Sequence, residues 1–182
     1  MGNALGDHGV SPDSLTAIGF FFSIVAGFLF AFRPSQPYLA ALAIIASGIM
    51  DILDGAVARA TGKVSLSGSL ADSTLDRVSE IVIFSGIIFA GYSVPSFIIL
   101  LTLSFSLMVS YVRSKGEALA ITMSGVGLAE RPERLLILIV FSLFGFVWIG
   151  VYVILFLAII TFVQRYLYLS KGISQKKRLQ GS

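Results

Sequence analysis

Cysteine is absent from this 182-residue chain, and histidine occurs once, as His8. Disulfides, thiolate metal sites and cysteine nucleophiles are therefore excluded, and a histidine-based catalytic relay is not expected. Charge is scarce as well. Asp, Glu, Lys and Arg make up 13% of the residues, against about 25% in an average soluble domain. The N-terminus has no basic segment ahead of its first apolar run, so it does not read as a signal peptide.

What is present instead is apolar bulk. Apolar residues account for 56% of the chain and the mean hydropathy is +0.92, which places the protein in a bilayer. One domain covering residues 1–182 is expected at this length. A span needs roughly 20 mostly apolar residues, and six stretches qualify. They are Leu15–Phe32, Tyr38–Ala58, Leu70–Ala90, Ser96–Val112, Leu135–Phe146 and Val151–Tyr168. The region around Trp148-Ile149-Gly150 reads as the turn between the last two. The expected fold is an all-α membrane protein with six transmembrane helices.

Orientation follows from the basic residues. With both termini cytoplasmic, Arg59, Lys63, Arg113, Lys115, Arg131, Arg134, Arg165 and the tail basics fall on the inner side. Arg77 lies just below that surface, and only Arg33 falls outside. The basic tail within residues 171–182 reads as an anchor on anionic lipid. Nucleic acid is not an expected partner.

Against this apolar background the second and third stretches carry Asp51, Asp54, Asp72, Asp76 and Glu80, half of the ten acidic residues. An acid inside a span costs at least about 2.5–3.5 kcal/mol near its centre, so the cluster points to a functional site. Asp51 and Asp54 are three apart and Asp72 and Asp76 four apart, so each pair shares a helix face. A short loop, Thr61–Ser67, lets the two faces oppose each other. Small residues at Gly55, Ala58 and Gly68 leave room beside the backbone. Clustered carboxylates repel unless cations neutralise them. An all-oxygen donor set suits Mg²⁺, Mn²⁺ or Ca²⁺ rather than zinc. Arg59 stands ready to pair with phosphate. Two other readings compete: an ion or proton path, and structural pairs such as Asp76 or Glu80 with Arg77.

The segment Asp51-Ile-Leu-Asp54-Gly55-Ala-Val-Ala58-Arg59, followed by Gly68, Asp72 and Asp76, closely resembles the signature of the CDP-alcohol phosphotransferase family. That signature reads D-x2-D-G-x2-A-R-x8-G-x3-D-x3-D, and all eight specified residues over 26 positions match. The resemblance implies an enzyme moving a phosphate-linked group from a CDP-lipid donor to an alcohol by direct displacement. It implies that Asp51, Asp54, Asp72 and Asp76 hold divalent metal, a pair of Mg²⁺ or Mn²⁺ ions. Asp51, Gly55, Ala58, Arg59 and Gly68 would bind the CDP moiety, and Asp76 would be the general base. It also implies a homodimer, and the expected place is the cell membrane, with the active site at the cytoplasmic face. Ser11-Pro12-Asp13-Ser14-Leu15-Thr16 resembles the family's first-span start, with Asp where Asn is commoner, and the family's N-terminal surface helix is expected to be very short or missing.

The acceptor is read from Ser110-Tyr-Val-Arg113-Ser-Lys115-Gly-Glu117-Ala and Glu130-Arg131-Pro-Glu133-Arg134. These segments resemble phosphatidylinositol-phosphate and archaetidylinositol-phosphate synthases. That likeness implies inositol 1-phosphate as the phosphorylated polyol acceptor, with Ser110, Arg113, Arg131, Arg134 and Arg165 around it. Glycerol 3-phosphate is the close rival, and ordinary loop charge is the bland one. A cation or proton transporter is disfavoured. The outer halves of the acidic spans are apolar, with Ile83, Phe84, Ile87, Ile88 and Phe89, and offer ions no path.

Overall fold

The computed structural model describes residues 11–62 and 65–180; His8 and Lys63 lie outside them. The described residues form six helices and no strands. They are α1 (Pro12–Phe32), α2 (Pro37–Ala60), α3 (Leu66–Ala90), α4 (Ser96–Ala118), α5 (Arg131–Leu143) and α6 (Val147–Gln180).

Local chemistry sets the boundaries. Ser11 caps α1 by accepting the Ser14 N–H at 3.1 Å, with Pro12 and Asp13 in the first turn. Ser65 caps α3 by accepting the Gly68 N–H at 3.0 Å. Serine caps and an early proline or acid are standard helix starters. α3 stops at Gly91, whose φ of +68° suits glycine.

The last turn differs from expectation. It falls at Phe144-Gly145-Phe146, where Gly145 has φ +79°. Trp148, Ile149 and Gly150 already belong to α6. Gly150 serves a different purpose, since a Cβ there would stand 3.0 Å from the Phe141 side chain. α6 then continues well past Tyr168, through the basic tail to Gln180.

Four helices, α1, α2, α4 and α6, are long and apolar enough to cross a membrane. α3 carries its acids and Arg77 in the N-terminal half. α5 has 13 residues, about 20 Å at 1.5 Å per residue.

Packing places α1 at the centre of the acidic half. It lies along both α2 and α3, whereas α2 and α3 scarcely touch each other. The closest approach is glycine on glycine: a Cβ on Gly86 would overlap the Gly27 backbone. α4 and α5 pack on α6, α5 also on α2, and α3 on α4. Phe30, Ile44, Ile83, Ile87, Ile99, Leu138 and Ile154 fill the shared core. Phe21, Phe28, Phe89, Phe97 and Phe156 point outward, as a lipid-facing surface requires. At the end away from the acids, Tyr92 donates to the Phe30 carbonyl at 3.3 Å, and burial pushes its hydroxyl up to about 12.

Candidate active site

The start of α1, the end of α2 and the start of α3 meet at one end of the bundle. There Asp51, Asp72 and Asp76 each bring one carboxylate oxygen within 4.8 Å of the others. Three acids this close, with no His or Cys among them, form a donor set that fits a hard divalent cation. Asp54 stands apart from this trio. It is buried, and its Oδ2 accepts a 2.7 Å hydrogen bond from Thr16 Oγ1.

Beside the trio lies an open cavity of about 370 Å³. Its walls include Asp54, Gly55, Ala58 and Arg59 of α2, and Gly68 and Asp72 of α3. Gly55, Ala58, Arg59 and Gly68, singled out by the signature, thus share one chamber, while Asp51 lies on the Asp76 side. The glycines are there for space. A Cβ at Gly55 would stand 3.2 Å from Arg59 Nη1, and one at Gly68 would stand 3.0 Å from Ser65 Oγ. Pro12, Asp13, Thr16, Ser65 and Ser69 complete the lining and were not singled out from sequence. The resemblance of the Ser11–Thr16 segment was the signal for the first three.

The arginines divide into three situations. Arg131, in the first turn of α5, reaches the acids directly: Nη1 is 2.7 Å from Asp76 Oδ1 and 3.4 Å from Asp51 Oδ2. Arg113 and Arg165 converge on one carboxylate, Glu130. Arg113 Nη1 is 2.9 Å from Oε2 and Arg165 Nη2 is 2.8 Å from Oε1. Arg113 Nε also pairs with Glu117 at 3.0 Å. Arg165 is almost wholly buried, and it further donates to the Val126 and Val109 carbonyls at 2.8 and 2.9 Å.

Arg134, grouped with the acceptor residues from sequence, is buried one turn below Arg131 on α5. It is 2% exposed and donates to Glu80 Oε1 at 2.8 Å, to the Ala129 carbonyl at 3.2 Å and to the Ser106 carbonyl at 3.4 Å. Glu80 therefore pairs with Arg134 and not with Arg77, whose Nη1 turns back to the Ser73 carbonyl. Ser110 sits half-buried on α4, one turn before Arg113. Glu130 had drawn no role from sequence, although it opens the Glu130-Arg131-Pro132-Glu133-Arg134 motif.

A helical bundle with apolar membrane-length helices and three clustered carboxylates beside an open cavity fits a phosphoryl-group enzyme at a membrane. The chain belongs to the CDP-alcohol phosphatidyltransferase family, whose model matches residues 9–164. It is thus a transferase of phosphate-containing groups and a membrane protein. Archaetidylinositol phosphate synthase of Pyrococcus horikoshii is 42% identical over 165 residues, covering 91% of this chain and 86% of that one. The crystal structure of Mycobacterium tuberculosis phosphatidylinositol phosphate synthase with CDP-DAG bound superposes with a TM-score of 0.80 at 27% identity, covering 92% and 90% of the two chains. The same enzyme in complex with manganese and citrate gives 0.80 and 27%, covering 92% and 86%.

Proposed function

We propose that this chain transfers the lipid-phosphate group of a CDP-lipid to inositol 1-phosphate and releases CMP. The observation that carries this reading is the meeting of the signature acids with Arg131. The Asp51, Asp72 and Asp76 oxygens lie within 4.8 Å of one another, and Arg131 Nη1 lies 2.7 Å from Asp76. Donor machinery and the basic loop therefore share one centre. The names of the relatives support the acceptor.

In this reading Gly55, Ala58, Arg59 and Gly68 receive the cytidine and its phosphates, with Arg59 giving charge-assisted hydrogen bonds. Asp51, Asp54, Asp72 and Asp76 hold Mg²⁺ or Mn²⁺, two ions per site. Bound there, the metal supplies charge neutralisation for the pyrophosphate and the departing CMP. Arg131, Arg113 and Arg134, with Ser110 beside them and Arg165 behind Glu130, receive the acceptor's phosphate and orient its free hydroxyl. Asp76 takes the proton from that hydroxyl. The oxygen bonds to the lipid-side phosphorus, the pyrophosphate bridge breaks, and CMP leaves with the bridging oxygen. No side chain forms a covalent intermediate.

Residues 1–182 act as one domain with six spans, α3 and the short α5 included, and both termini cytoplasmic. That arrangement gathers twelve of the thirteen Lys and Arg on the site's side. The protein works in the cell membrane as a homodimer, for which cross-linking in native membranes is the check.

The deciding experiment is CMP release by purified protein with Mg²⁺ and CDP-diacylglycerol or CDP-archaeol. Inositol 1-phosphate, glycerol 3-phosphate, inositol and serine are offered separately. Release with inositol 1-phosphate alone supports the reading. Release only with another alcohol keeps the chemistry and overturns the acceptor.

A further inference from the structure

The chain joining α4 to α5 runs down the side of α6 rather than across its end. A Cβ on Gly172 would stand 3.1 Å from Ile121 Cδ1, Met123 packs with Leu169, and the Ala129 N–H donates to Thr161 Oγ1 at 3.0 Å. Between Gly172 and Thr161 the connection descends about 16 Å along the helix. Gly127, with φ +110°, presses so closely that a Cβ there would overlap the Thr161 side chain.

That descent carries irregular backbone to membrane depth. α6 begins at Val147, and roughly 20 residues cross the hydrocarbon, which puts its edge on the site's side near Leu167. Exposed Tyr166 and Tyr168 stand at this edge and Trp148 near the other, as aromatic belts do. Thr161 is about 9 Å inside it. Irregular backbone is not left bare against lipid tails, because its polar groups need partners. One flank has them: Arg165 Nε donates to the Val126 carbonyl at 2.8 Å, and Thr161 accepts from Ala129. The other flank opens on a groove of about 540 Å³, between residues 125–128 and a stripe of α6 that runs from Gln164 to Lys171.

The groove changes character along its length. Leu128 and Leu167 are large, apolar and exposed in its deeper part. Lys171 stands a turn beyond Leu167, exposed, and in no ion pair among the described residues. An apolar wall inside the hydrocarbon edge with a cation just outside it matches the polarity of an anionic phospholipid.

We propose that this groove seats one anionic phospholipid of the surrounding leaflet, its tails along Leu128 and Leu167 and its phosphate at Lys171. The bound lipid completes the cover of the segment that leads to Glu130. It is a ligand and not a substrate, since the groove shares no residue with the chamber beside the acids. A single seat of this kind also differs from the diffuse attraction of a basic tail, which any anionic surface satisfies.

The test uses the full-length protein in neutral detergent, with phosphatidylglycerol or phosphatidylcholine added separately. Native mass spectrometry counts retained lipid, and hydrogen exchange follows peptides spanning residues 122–129. One phosphatidylglycerol per chain is expected to be retained in preference to phosphatidylcholine, and to slow exchange in those peptides. Lys171→Gln should weaken that retention about fivefold, the usual worth of one basic side chain at an anionic surface. Leu128→Ser should weaken it as well, through lost apolar contact, whereas Lys177→Gln, in the tail, should leave it unchanged. Equal retention of the two lipids overturns the proposal. So does an equal loss in Lys171→Gln and Lys177→Gln, which is the mark of diffuse attraction. Protection that follows dimer formation rather than added lipid also overturns it, because a second copy would then cover the groove. Should Lys171→Gln fail to fold, wild-type exchange in the two lipids decides the question by itself.

Discussion

Thr16 Oγ1 donates a 2.7 Å hydrogen bond to Asp54 Oδ2, joining the second turn of α1 to the signature face of α2 across 38 residues. Asp54 is 8% exposed, and this bond fixes which of its oxygens remains for a ligand. Groups that orient a metal-binding carboxylate typically contribute 10–100-fold to metal affinity or activity. Thr16→Val keeps the shape and removes the donor. It should raise the Mg²⁺ or Mn²⁺ concentration needed for half-maximal rate by about tenfold or more. A metal titration of CMP release checks this, and an unchanged titration would separate Asp54 from metal binding.

Asp76→Asn tests the base. Its oxygen lies in the carboxylate trio and against Arg131, yet the cavity proposed for the donor is lined without it. Turnover should fall by about 10²–10⁴-fold, the usual worth of a positioned acid or base. CDP-lipid should still raise the variant's melting temperature. Near-normal rates would remove Asp76 from the proton step.

Arg131→Ala should raise the acceptor KM by about tenfold or more, since charge-assisted hydrogen bonds are worth roughly 1.5–3 kcal/mol. The donor KM should move far less. Initial-rate measurements with each substrate varied in turn decide this, and an unmoved acceptor KM would exclude contact with the acceptor.

Gly86→Ala addresses the frame rather than the site. The added methyl would overlap the Gly27 backbone, and overpacking of this kind costs about 1–3 kcal/mol. The detergent-solubilised protein should melt several degrees lower, read by a thermal shift. Gly48→Ala, inside α2 where a Cβ meets nothing within 4 Å, is the control and should melt no lower than the wild type, since alanine favours a helix over glycine.

The number and order of the helices were legible in the apolar runs, and the acid cluster was legible because buried carboxylates are costly wherever they occur. Glycine was harder to interpret. Gly145 turns the chain through a positive φ, while Gly150 admits Phe141; the sequence offers the same letter for both. Ion-pair partners were harder still. A local pairing of Glu80 with Arg77 was open from spacing, but the partner is Arg134, 54 residues away. Arg113, Arg131, Arg134 and Arg165 all look alike as loop or helix-end charge. What each one pairs with depends on how α3, α4, α5 and α6 come together: Arg131 meets Asp76, Arg134 meets Glu80, and Arg113 and Arg165 share Glu130. Glu130 drew no role because nothing in its spacing shows that it draws in Arg113 and Arg165 from two other helices.

The C-terminal end of α6 has a bearing on how such enzymes diversify. Lys176 Nζ donates to the Leu119 and Ala120 carbonyls at 2.6 and 3.0 Å, closing off the end of α4. Met123 is packed with Val112 and Leu169, and Ile121 with Ile173 beside them. The segment leading to Glu130 and Arg131 is thus moulded on the C-terminal helix, far away in sequence. Grafting that segment alone from a relative with a different acceptor would leave it without its seat. A working chimaera has to carry residues 119–134 and the last turns of α6 together, as one inherited unit.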